Sequence, residues 1–150
     1  SKESYSTSEG IKVLVTVPSI ESGVVRGSGD LELKGKFAGT KLEVSVWGSG
    51  DVVARNCQFE EIECLVNGSG DILLGGAASI LSLKVNGSGD ISAKGLKAAN
   101  VKAKVNGSGD IELHADETLS AKVNGSGDIT YSGDAKVTKS VAGSGDILKD

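Results

Sequence analysis

The segment KVNGSGDI, Lys84 to Ile91, returns unchanged at residues 104–111 and again at 122–129. Its central tetrapeptide GSGD is more widespread and ends at Asp30, Asp51, Asp71, Asp90, Asp110, Asp128 and Asp146. Successive aspartates are 21, 20, 19, 20, 18 and 18 residues apart. The flanks keep the same phase. Two residues before each GSGD stands Val25, Val46, Val66, Val85, Val105, Val123 or Val141. Directly after each aspartate stands Leu31, Val52, Ile72, Ile91, Ile111, Ile129 or Ile147. Four residues before the valine stands Leu42, Ile62, Leu81, Val101, Leu119 or Val137, with Glu21 breaking the pattern in the first copy.

Between these anchors apolar and polar residues alternate, as in LSLKV (81–85) and VKAKV (101–105). A period of two with β-branched residues is the mark of half-buried strands. Each unit therefore reads as strand, GSGD turn, short strand, variable turn and return. Units repeated in phase bury one continuous core that a single unit could not form. The period is too short for paired-helix repeats, and no stretch carries an apolar stripe at helical spacing. A leucine-rich repeat has a comparable period, but its leucine and asparagine spacing is absent. The expectation is an all-β fold: a right-handed parallel β-helix of about seven coils, 18–21 residues per coil. Parallel crossovers are almost always right-handed, and stacking at about 4.8 Å gives a rod roughly 30–35 Å long.

Composition agrees with a narrow interior. The 150 residues include 22 glycines, one proline and few aromatic residues. The formal net charge is −4, which is no footprint for nucleic acid. No apolar run approaches the ~20 residues of a membrane helix, so direct membrane insertion of this segment is not expected. Cys57 and Cys64 read as buried free thiols, with a local disulfide as the alternative. Residues 1–10, SKESYSTSEG, read as a flexible N-terminal segment, and 11–150 as a single β-helix domain. Within it IKVLVTV sets Ile11, Val13, Val15 and Val17 on one face before Pro18. At the far end Lys139 and Lys149 occupy inward columns, so the last coil should be open to water. Tyr131, also in an inward column, reads as core filler near that end.

The recurring VNGSGDI, preceded by IKVLVTVPSIES, resembles the bacterial family "putative auto-transporter adhesin, head GIN domain" over roughly residues 11–150. The resemblance implies a right-handed β-helix that is periplasmic, outer-membrane-associated or extracellular. It also implies that the family domain continues upstream of the lead-in strand. It brings no catalytic residues with it.

The turn invites a chemical reading, since a column of carboxylates could serve calcium. The calcium β-roll repeat G-G-x-G-x-D-x-U-x sets its aspartate two positions after glycine, whereas here aspartate follows glycine directly. The architectural reading accounts for more. Glycines on both sides of serine allow φ > 0 and close stacking of backbones. Serine and aspartate side chains bond nearby N–H groups. Asn67, Asn86, Asn106 and Asn124 share one column, as in the amide ladders of stacked β-structure. Stacked aspartates ~5 Å apart repel by about 0.8 kcal/mol per neighbouring pair in bulk water. Turn amides must offset this, or cations, or the outward column Lys84, Lys104 and Lys122.

No catalytic residue, metal ligand or cofactor is expected. His114, the single histidine, reads as an outward solvated side chain, GxSxG is absent, and GSGD lacks the GK[ST] of a P-loop. The asparagine column is interrupted by Arg26 and Trp47, which should neighbour each other at one end of the rod. They form a candidate partner contact; alternatively they pack on an upstream segment or on each other. The leading expectation is a non-catalytic envelope or secreted scaffold with an unknown protein or glycan partner. Its rivals are a glycan- or calcium-binding module and a polysaccharide-active enzyme. Uncapped solenoid edges could also pair end to end.

Overall fold

The structure is a computed structural model that describes residues 2–7, 13–16, 22–27, 31–34 and 37–150. These residues form β1 (Lys2–Thr7), β2 (Val13–Thr16), β3 (Ser22–Gly27), β4 (Leu31–Lys34), β5 (Phe37–Gly48) and β6 (Val52–Gly68). The chain continues with β7 (Ile72–Gly87), β8 (Ile91–Gly107), β9 (Ile111–Gly125), β10 (Ile129–Ser132), β11 (Lys136–Gly143) and β12 (Ile147–Lys149). Every recorded pairing is parallel, and none of the described residues is helical. The strands stack as a β-solenoid of about six turns, close to the seven expected.

A full coil has three straight runs, legible in β8 as buried Ile91 and Ala93, then Leu96 and Ala98, then Val101, Ala103 and Val105. The GSGD corner joins the third run to the first run of the next coil. Its register never slips from β5 onward: Gly48, Gly68, Gly87, Gly107 and Gly125 pair in succession. Differences in coil length are absorbed at the other corners. Between β8 and β9 the register jumps at Ala93/Lys97 and again at Ala98/Asn100. The unequal repeat intervals thus leave one corner untouched.

The core is one cluster of aliphatic side chains filled by alternating bulk. Phe59 stacks on Ala78, and Ala78 on Ala98; Leu83 lies between Cys64 and Ala103. Each fully buried leucine or isoleucine contributes about 1.5–3 kcal/mol. Tyr131 is buried as expected, and the exposed Lys139 closes that end by setting its ammonium 5.5 Å over the Tyr131 ring. Lys139 also donates to the Ile147 carbonyl at 3.3 Å.

Two expectations change at the N-terminal end. The stretch 1–10, expected to be loose, contributes β1, paired in parallel with β3 from Lys2↔Ser22 to Thr7↔Gly27. A polar sequence can join an outer coil because the ladder satisfies its backbone without a large apolar face. The β3–β5 register is also displaced by two residues from the repeat, pairing Val25 with Val44 and Gly27 with Val46. Ile11, Val17, Pro18 and Asp30 lie outside the described residues.

Candidate binding site

The GSGD corner is a column of hydrogen bonds between coils. The carbonyl of the first glycine accepts two N–H groups from the next coil. Gly68 O accepts from Ser88 at 3.0 Å and from Gly89 at 3.1 Å, and the pattern repeats at Gly48, Gly87, Gly107 and Gly125. The first glycine has positive φ, 101–131° from Gly48 to Gly143. The second is required by close approach: a Cβ on Gly89 would lie 2.0 Å from Gly70 O.

Each aspartate joins the same column. The backbone N–H groups of Asp71, Asp90, Asp110, Asp128 and Asp146 donate to Oδ1 of the aspartate one coil earlier, at 2.8–2.9 Å. The carboxylate thus bonds to the next turn, while the serine hydroxyl side faces solvent at Ser69, Ser88, Ser108, Ser126 and Ser144. A fixed amide dipole at each carboxylate from Asp51 to Asp128 offsets the repulsion along the column. Among the described residues, Lys84, Lys104 and Lys122 make no ion pair with a corner aspartate. Among the described residues, no group of three or more His, Cys, Asp or Glu side chains is arranged to hold a metal ion.

Beside this corner the amides stack. Asn86, Asn106 and Asn124 each donate through Nδ2 to Oδ1 of the preceding asparagine, at 2.9, 2.8 and 3.0 Å. Trp47 pairs with Asn67 at the end of the ladder and is 54% exposed. Arg26 does not share its rung: the displaced register sets Arg26 opposite Ser45.

The outer face of the third run holds a groove of about 530 Å³ lined by five consecutive coils. Glu43 and Glu63 lie toward one end, and Lys84, Lys102, Lys104 and Lys122 toward the other. The acidic end is internally paired: Lys41 Nζ lies 3.5 Å from Glu43 and 3.4 Å from Glu63. Glu63, chiefly, holds the Lys41 ammonium above its ordinary pKa. Among the described residues, the four groove lysines make no ion pair. Leu65 is half-buried between the two ends.

His114 is not simply solvated. Its Nδ1 is 3.0 Å from Ser132 Oγ and its Nε2 is 2.7 Å from Asp116 Oδ1. Sequence spacing hides this contact, because Ser132 arrives from the next coil through the Ser132↔His114 register. The trio resembles a charge-relay array, but Asp116 is exposed, and it ties β9 to β10 at the tightened corner. Cys57 and Cys64 are buried free thiols; burial pushes Cys57 up to about 12 and raises Cys64 as well. Both act as small hydrophobes rather than nucleophiles.

The family described as "Putative auto-transporter adhesin, head GIN domain" matches residues 1–135. Among solved structures, a "Putative lipid binding protein" from Parabacteroides distasonis is 33% identical with a TM-score of 0.93, over 98% of this chain and 61% of its own. A "putative adhesin" from the same species is 29% identical with a TM-score of 0.91, over 97% of this chain and 64% of its own. A "putative adhesin" from Parabacteroides merdae is 27% identical with a TM-score of 0.92, over 99% of this chain and 63% of its own. The chain thus spans a little over three-fifths of these proteins. No curated protein matches it. None of these descriptions is of an enzyme.

Proposed function

The chain belongs to the family "Putative auto-transporter adhesin, head GIN domain", and from that premise we propose that it is a non-catalytic interaction scaffold of the cell envelope or exterior. One observation carries the reading: every described corner aspartate from Asp51 to Asp128 spends an oxygen on the next coil's amide. Catalytic carboxylates are few and break a pattern, whereas these repeat it and hold it. We assign Asp51, Asp71, Asp90, Asp110, Asp128 and Asp146 to the corner, and Asn67, Asn86, Asn106 and Asn124 to the ladder beside it. The outward faces are then the working surface, with Trp47 as a contact residue and Arg26 near it. Exposed tryptophan is a favoured interface anchor. The adhesin names of two structural neighbours are consistent with this role and with an envelope or extracellular location.

The test is adhesion. Beads carrying the chain should attach to mucin-coated glass without releasing new sugar reducing ends. Trp47→Ala should reduce attachment several-fold with an unchanged melting temperature. Appearance of reducing ends would end the non-catalytic reading, and full attachment by the alanine variant would remove Trp47 from the contact.

A further inference from the structure

We infer that the lysine-lined groove on the third run binds a linear polyanion, an acidic polysaccharide carrying carboxylate or sulfate groups along its length. The inference rests on the scaffold reading and names the chemistry of one partner.

Lys84, Lys104 and Lys122 occupy one rung position in three consecutive coils, so their backbones recur at the strand spacing of about 4.8 Å. Lys102 stands two residues before Lys104, on the same outer face. Four cations thus gather in a chain whose net charge is −4, so the patch is not a by-product of basic composition. None is in an ion pair among the described residues, whereas the nearest acidic side chains in the groove are held by Lys41. The fold does not require these lysines. Ser45 and Ser140 stand one or two coils away in the same outward column. Like charges stacked with no internal partner are relieved by an external anion.

The shape selects the kind of anion. The groove is lined by five coils but by only a few outward columns, so it is long parallel to the solenoid axis and narrow across it. It suits an extended chain better than a flat membrane surface. Ser82 and Ser120 line it beside the lysines and offer hydroxyl groups to sugar hydroxyls. Ammonium groups are compact point charges, suited to spaced monoanions. Arginine forks for phosphate and aromatic platforms for bases are absent from the lining.

Polygalacturonate is the probe, with neutral dextran and phosphatidylglycerol vesicles as comparisons. The chain should bind polygalacturonate at low ionic strength, weaken steeply with added salt, and ignore dextran. The triple variant Lys84→Ser, Lys104→Ser, Lys122→Ser should bind at least tenfold more weakly, with a cooperative melt near that of the parent. Lys104→Ser alone should weaken binding several-fold, which keeps the inference testable if the triple variant does not fold. The inference falls if the parent does not bind, if folded variants bind as tightly as the parent, or if dextran binds equally. Tighter binding to the vesicles than to polygalacturonate also overturns it, in favour of a membrane partner. Binding accompanied by new unsaturated uronate absorbance upholds the groove and overturns the non-catalytic reading; loss of binding alone removes the groove and leaves the scaffold.

Discussion

Two columns of like charge climb this solenoid, and they are held differently. In the aspartate column each described carboxylate from Asp51 to Asp128 accepts an N–H from the coil that follows. In the lysine column, Lys84, Lys104 and Lys122 make no ion pair among the described residues. Both columns follow from the same repeat. The difference is where each lies relative to the backbone. The aspartates sit at a corner where an amide points along the axis, so their charge is absorbed into the fold. The lysines stand on a flat run whose amides are already committed to the ladder, so their charge remains available to a ligand. Repetition alone therefore does not distinguish structure from function; satisfaction does.

Perturbations should separate the columns, beginning with the corner itself. Gly89→Ala brings a Cβ to 2.0 Å from Gly70 O. It should destabilise by more than about 3 kcal/mol, the scale of severe backbone and core lesions; denaturant unfolding reads this directly. Next is Asp90→Ala, which strips the acceptor from the Asp110 N–H. A loss of about 1–2 kcal/mol is expected, and Asp90→Asn, which keeps an oxygen there, should recover most of it. Equal loss in both variants would mean that negative charge, not the amide acceptor, matters at this corner. Asn86→Ala cuts the ladder on both sides, toward Asn67 and Asn106, and should cost about 1 kcal/mol in the same assay. Smallest is the triple lysine-to-serine variant, expected within about 0.5 kcal/mol of the parent. A large loss of stability there would make the lysine column structural and erase the contrast.

Much of this was legible in the residues. The phase of Val85, Val105 and Val123 against Ile91, Ile111 and Ile129 marks inward positions, and all six are buried. The asparagine ladder follows from a shared column. The partner of the aspartate is harder to read, because turn amides, cations and the lysine column are all candidates in one dimension. Arg26 and Trp47 were expected on one rung, and the β3–β5 displacement separates them. Strand β1 was missed because SKESYSTSEG lacks an apolar alternation. The approach of Ser132 to His114 depends on residues dropped at a corner, which no local pattern records.

By itself, the sequence determined the parallel stack, and from β5 onward its phase and its core, because a period of 18–21 residues with invariant corners brings equivalent residues into register there. Tertiary structure alone decided which donor meets each carboxylate, which coil absorbs a length change, and which charges stay free. Those outcomes depend on the angle at which backbone groups leave a corner and on how adjacent coils superpose. A repeat specifies which residues are neighbours, but not the direction in which their hydrogen bonds point.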